Sequence, residues 1–203
     1  MKCAFYNTGY NPGSLNMGLD EVLLRQVRET GMPSLRFYGW LPPCVSIGYF
    51  QALKRQVRLN ECVKRNVDVV RRLTGGGTVY HKDELTYSFI TPRECVLAKE
   101  DILASYESIL KALIKGLGYM GVEAEFRPLN DVVADGRKIS GNAQTRRYKC
   151  ILTHGTILLD VDADEMFTLL KVGEEKMRDK VVESVESSVT SVVHYLWTDQ
   201  SEI

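Results

Sequence analysis

Apolar and polar residues alternate along this chain in two rhythms. At helical spacing, Leu15, Leu19, Val22, Leu23 and Val27 predict one face of a helix capped by Ser14 or Asn16, running to about Arg28 and closed by Gly31 and Pro33. Ile102, Leu103, Tyr106, Ile109, Leu110, Leu113 and Leu117 predict the longest helix, Glu100 to Tyr119. Shorter helices are expected at Leu59 to Lys64, Ala163 to Lys171 and Glu174 to Ser187. Strands are expected at Cys3 to Tyr6, Leu35 to Trp40, Cys44 to Phe50, Val67 to Val70 and Leu85 to Ile90. Four more are expected at Glu123 to Arg127, Asp131 to Ala134, Lys138 to Gln144 and Ile151 to Val161, with Asp135-Gly136 as a hairpin turn. The strands cluster, with helices between the clusters. That order predicts an α+β fold, a mixed and largely antiparallel sheet flanked by helices.

Composition narrows the class. A chain of 203 residues with 44% hydrophobic and 26% charged residues suits a single domain spanning 1–203 with a sizeable core. Acidic and basic residues number 26 each, so no broad nucleic-acid or membrane surface is expected. No apolar run reaches membrane-spanning length, and the N-terminal MKCAFYNTGYN does not read as a signal peptide. The five cysteines are scattered without a CxxC pair, which favours reduced thiols in a cytoplasm. His81, His154 and His194 lack ligand spacing, so no structural zinc site is expected.

Candidate chemistry begins with RRLTGGGTVYH, Arg71 to His81, between two predicted strands. Gly75, Gly76 and Gly77 leave a backbone that can take positive φ and approach a ligand closely. Two arginines and the hydroxyls of Thr74 and Thr78 would suit an anion; a hairpin tip with solvated arginines is the plainer alternative. The loop matches neither the Walker nor the GxGxxG pattern, and it leads into a strand.

The second stretch is Gly136 to Gln144, GRKISGNAQ. Strand alternation places Lys138, Ser140, Asn142 and Gln144 on one face, opposite Ile139, Gly141 and Ala143. That face reads either as a solvated edge or as a cation with hydrogen-bonding groups around a ligand. Cys150 and His154 lie four apart on the next strand, about 13 Å at about 3.3 Å per residue, too far for a cysteine–histidine dyad. His154 could donate to a ligand or satisfy a backbone group.

Six segments together resemble the lipoate-protein ligase branch of the biotin/lipoate ligase and acyltransferase family: LRFYGW…VSIGYFQ (Leu35 to Gln51), RRLTGGGTVYH, ELTYSFI (Glu84 to Ile90), LND (Leu129 to Asp131), GRKISGNAQ and THGTILLD (Thr153 to Asp160). The resemblance implies a sheet akin to class II aminoacyl-tRNA synthetase and biotin ligase catalytic domains. It implies an ATP-dependent ligase that forms lipoyl-AMP from lipoate and ATP with Mg2+. The lipoyl group would then pass to a lysine of a lipoyl carrier domain, in a 2-oxoacid dehydrogenase acyltransferase subunit or a glycine cleavage H protein. Lys138 would be the catalytic residue. Arg72, Thr74, Gly75, Gly76, Gly77, Thr78, Val79, Tyr80, Asn130, Asp131, Ser140 and His154 would hold substrate and adenylate, with Asp131 also a Mg2+ ligand.

The same resemblance keeps open an ATP-independent octanoyl or lipoyl transferase. Bacterial transferases of the family share ELTYS, AQTR and HG-ILLD wording, but place a nucleophilic cysteine in the loop before the lysine strand. Ala124 to Asn130 (AEFRPLN) holds no cysteine here, which weighs toward the ligase. A non-catalytic acyl- or nucleotide-binding module is the third reading. The chain ends soon after SSVTSV (Ser187 to Val192), where ligases continue, so a separate accessory polypeptide or a shortened form is expected.

Overall fold

The computed structural model describes residues 2–171, 184 and 187–198. The helix expected at Glu174 to Ser187 lies almost wholly outside them. In chain order the elements are β1 (Ala4–Asn11), α1 (Gly13–Thr30), β2 (Ser34–Trp40), β3 (Cys44–Ile47), α2 (Leu53–Gln56), α3 (Leu59–Lys64), β4 (Asp68–Arg71), β5 (Val79–His81) and β6 (Glu84–Pro92). Then come α4 (Ile102–Gly118), β7 (Glu125–Arg127), β8 (Asp131–Ala134), β9 (Arg137–Arg147), β10 (Cys150–Leu158), α5 (Ala163–Leu169) and α6 (Val192–Thr198).

Among the described residues, seven strands form one sheet in the order β1-β2-β6-β10-β9-β8-β7, and three form another, β4-β3-β5. All neighbours in the large sheet run antiparallel except β1 and β2. In the small sheet β3 pairs parallel with β4 and antiparallel with β5. The fold is therefore mixed α+β, with a mostly antiparallel sheet flanked by helices.

Alternation along β2, β6 and β10 divides the large sheet into two faces. Leu35, Phe37, Tyr87 and Phe89 pack with Leu110 and Leu117 of α4. On the other face Ile90 and Leu152 pack with Leu23, Leu24 and Val27 of α1. The small sheet has its own core of Val45, Ile47, Val57, Cys62 and Val67, closed by Leu169 and Leu170. Tyr38, Trp40 and Cys44, with Met17 and Val70, join the two sheets. No helix among the described residues is long and apolar enough to cross a membrane.

One expectation about packing is corrected. The buried stripe of α1 is Gly13, Asn16, Asp20, Leu23, Leu24 and Val27, whereas Leu15 and Val22 are exposed. Nor does a side chain cap this helix at its N-terminus. Its C-terminus does end at Gly31, whose φ of 68° is the left-handed conformation a glycine supplies without steric cost. The helix is turned so that two polar side chains, Asn16 and Asp20, face the sheet. They are held there by Arg36, described below.

Candidate active site

A cavity of about 370 Å³ opens between the small sheet and the α1-facing side of the large one. The glycine loop and β5 form one wall, and β9 with the 155–156 region of β10 forms the other. Met17, Tyr38, Trp40, Val79, Ala143 and Met166 supply apolar lining, and Lys82, Lys138, Asp160 and Asp162 ring the lining with charge.

Arg72 shapes the glycine loop from beneath. Its Nε–H donates to Thr74 Oγ1 (3.2 Å), Nη1 to Ser46 O (3.2 Å) and Ser46 Oγ (3.1 Å), and Nη2 to Gly75 O (2.8 Å) and Gly77 O (2.6 Å). A guanidinium has five N–H donors, so every one is used within the protein. Arg72 is 6% exposed, and burial brings its pKa down to about 10. Gly76 crosses over this guanidinium with φ 96°, and a Cβ there would stand 2.9 Å from Nη2. Gly75 and Gly77 would carry a Cβ into open space. Arg71 fixes the adjoining loop by donating to the carbonyls of Gly48, Tyr49 and Gln51. A loop without side chains thus keeps one shape because two arginines bind its carbonyls and those of its neighbour.

Two hydroxyl–histidine–carboxylate relays leave Arg72. Thr74 Oγ1 lies 2.7 Å from His154 Nε2, and His154 Nδ1 lies 3.1 Å from Asp20 Oδ2. Asp20 is in turn paired with Arg36 at 2.8 Å, both almost wholly buried, and Arg36 also bonds Asn16 and Thr8. In the second relay Ser46 Oγ lies 2.7 Å from His81 Nε2, and His81 Nδ1 lies 2.7 Å from Glu84 Oε1. Trp40 Nε1 and Thr86 Oγ1 also donate to Glu84 Oε1, at 3.1 and 2.6 Å, and the Trp40 ring stacks on His81. An ionised carboxylate only accepts, so each histidine gives it the Nδ1–H, and the neutral imidazole then accepts the hydroxyl's proton at Nε2.

Lys138 faces the cavity through a β-bulge. The register pairs Val132 with Ser140 and Val133 with Lys138, leaving Ile139 unpaired. That extra residue puts Lys138 on the face of Gly141, whose absent side chain leaves room for Nζ: a Cβ there would lie 2.8 Å from it. The expected shared face of Lys138, Ser140, Asn142 and Gln144 is therefore corrected. Ser140 and Asn142 are buried on the other side, where Tyr87 Oη donates to Asn142 Oδ1 at 2.6 Å, and Gln144 bonds Ser105 and Thr153. Asn142 still reaches the cavity lining at its edge, and exchanges bonds with Asn130, whose carbonyl accepts from both its Nδ2 and its backbone N–H.

Of the residues singled out from sequence, Arg72, Gly76, Gly77, Thr78, Val79, Tyr80, Asn130, Lys138 and His154 line the cavity; Thr74, Gly75, Asp131 and Ser140 do not. Asp131 does not suit Mg2+. One of its oxygens is 2.7 Å from Lys138 Nζ and the other 3.4 Å from Arg127. Among the described residues no three His, Cys, Asp or Glu side chains gather to hold a metal. Sequence reasoning missed Ser46, His81, Glu84, Asn16, Asp20 and Arg36. The signals were present: Asn16 and Asp20 recur in the same stripe as Leu23, Leu24 and Val27, and His81 precedes Glu84 by three.

The chain's residues 12–201 match the model of the family described as lipoyl protein ligase A/B catalytic domain. The chain belongs to that family. Octanoyltransferase LipM of Macrococcus caseolyticus (strain JCSC5402) is 36% identical over 212 residues, covering 93% of this chain and 77% of the relative. Further relatives named octanoyltransferase LipM are 32% to 38% identical. Among solved structures, a bi-partite lipoate protein ligase from Thermoplasma acidophilum, reported with its E2 lipoyl domain, has TM-score 0.86 and 32% identity, covering 96% of this chain and 76% of that one. A lipoate-protein ligase A bound with ATP has TM-score 0.79 and 28% identity, covering 100% of this chain and 79% of that one.

These relatives correct the activity expected from sequence. An ATP-dependent ligase was expected, but the curated members of the lipoyl protein ligase A/B family at 32% to 38% identity are octanoyltransferases by name. The acyl-group chemistry stands, and the ATP-dependent reading is withdrawn.

Proposed function

We propose that the protein is an ATP-independent acyltransferase, moving an octanoyl or lipoyl group from an activated donor to a lysine of a lipoyl carrier domain. The octanoyltransferase relatives carry this reading. Without ATP to activate a free acid, the acyl group must arrive already activated, and a thioester is the class of donor that meets this need. The apolar side chains of the cavity suit a medium-chain tail. Lys138 Nζ stands beside Gly141 in position to draw negative charge from the acyl carbonyl as it becomes tetrahedral. Asp131 keeps the ammonium in that place.

The acyl acceptor is argued from the Thermoplasma ligase, which is reported with an E2 lipoyl domain. The accessory polypeptide expected from the sequence served adenylate formation, and transfer from an activated donor calls for none. None of the five cysteines lines the cavity, so no cysteine is in place to carry the acyl group.

The test is to mix the protein with an octanoyl thioester and an apo lipoyl domain, without nucleotide, and read the domain's mass. Octanoylation of the domain lysine is expected; no modification until ATP and free acid are added would refute the proposal.

A further inference from the structure

We propose that Ser46, His81 and Glu84 form a nucleophile–base–acid relay that carries the acyl group as a serine ester between donor and carrier lysine; this rests on the transferase reading above. Three observations point to it. The distances, 2.7 Å from Ser46 Oγ to His81 Nε2 and 2.7 Å from His81 Nδ1 to Glu84 Oε1, are those of an activated serine with an oriented base. All three residues line the cavity. In the sister relay, by contrast, neither Thr74 nor Asp20 does, and Asp20 is neutralised by Arg36.

Glu84 is the second observation. The residue is 4% exposed, and its carboxylate is held by Trp40, Thr86 and His81 without a Lys or Arg partner among the described residues. Burying a charge that way is costly, and the arrangement suits a carboxylate whose charge is completed when His81 becomes cationic. Arg72 is the third. Its guanidinium has no carboxylate partner among the described residues and donates to Ser46 Oγ at 3.1 Å, which favours negative charge building on that oxygen.

The steps balance. Ser46 Oγ attacks the thioester carbonyl carbon as His81 Nε2 takes the hydroxyl proton. The C–S bond breaks, and the thiolate leaves with the proton from His81. The carrier lysine's neutral amine then attacks the ester carbon and gives a proton to His81. The C–O bond breaks, and Ser46 Oγ takes that proton back, leaving an amide on the carrier. Gly76 and Gly77 line the same cavity, as does Lys138, and neither glycine's N–H is paired with a backbone carbonyl among the described residues.

The experiment is a rapid-quench single turnover with octanoyl-N-acetylcysteamine, with peptide mass mapping and a parallel carrier assay. The wild-type protein is expected to show octanoyl on Ser46, discharged when apo lipoyl domain is added. Ser46→Ala should lose the adduct, and His81→Gln should slow its formation on the order of a hundredfold or more. Ser46→Cys should form instead a thioester cleaved by neutral hydroxylamine. Carrier acylation by the wild-type protein with no adduct on Ser46, or at an unchanged rate in a folded Ser46→Ala, would overturn the relay while leaving the transferase reading intact. No acylation of the carrier by the wild-type protein would overturn that reading, and the relay with it.

Discussion

Arg72 and Lys138 look alike in the sequence, each a cation in a stretch suited to an anion, yet their surroundings assign them different work. Arg72 gives all five donors to its own loop and to Ser46, so it shapes the loop that lines the site. Lys138 has one close partner, Asp131 at 2.7 Å, and its side chain is 35% exposed. An ammonium so placed can turn to a substrate at small cost, since a partly exposed ion pair contributes about 0–1 kcal/mol. Lys138→Ala is therefore expected to lower carrier acylation by about a hundredfold or more while shifting the unfolding free energy by under about 1 kcal/mol. Denaturant titration beside the transfer assay checks both. Equal rates in variant and wild type would remove Lys138 from the site.

At the scale of elements, α1 and the glycine loop show what was legible and what was not. The positions of strands and helices followed from periodicity: α3 falls at Leu59–Lys64 as expected, and the hairpin turn at Asp135 and Gly136 takes positive φ at both residues. The rotation of α1 did not follow, because an apolar stripe was assumed to be the buried one. The Arg36–Asp20 pair reverses that assumption, satisfying Asn16 and Asp20 inside while Leu15 and Val22 face outward. In β9 the bulge at Ile139 defeated simple alternation, since one unpaired residue exchanges the two faces. The relays were hidden for a different reason. Ser46 meets His81 through the pairing of β3 with β5, between residues 35 apart in the chain, so only the His81–Glu84 step had a local spacing.

Asp20→Ala should cost about 3–5 kcal/mol, because it leaves the Arg36 guanidinium buried without its countercharge. Val22→Ser on the same helix should cost under about 0.5 kcal/mol, and chemical denaturation of the two variants compares them directly. In the glycine loop, Gly76→Ala is expected to lower the thermal midpoint, through positive φ and the clash with Arg72. Gly77→Ala should leave the midpoint nearly unchanged, and a reversed order would show that the loop is not held as described.

For the molecule as a whole, the packing makes a pH prediction. Burial pushes the phenols of Tyr38, Tyr80, Tyr87 and Tyr106 above their ordinary value, Tyr106 to about 12. Their folded values lie above the unfolded ones, so this contribution to stability is complete below about pH 10 and is lost as pH rises through the folded values. Arg72, lowered to about 10, acts in the opposite sense, but one group is outweighed by four. Denaturation midpoints should therefore fall steadily above about pH 10, with tyrosinate absorbance rising in step with unfolding. The activity itself is tested most directly by competition. Heavy-isotope octanoyl thioester and light free octanoate with ATP and Mg2+ are offered together to the protein and an apo lipoyl domain. An ATP-independent transferase puts only heavy octanoyl on the carrier lysine and releases no AMP. Light octanoyl on the carrier, with AMP formed in equal amount, would contradict it.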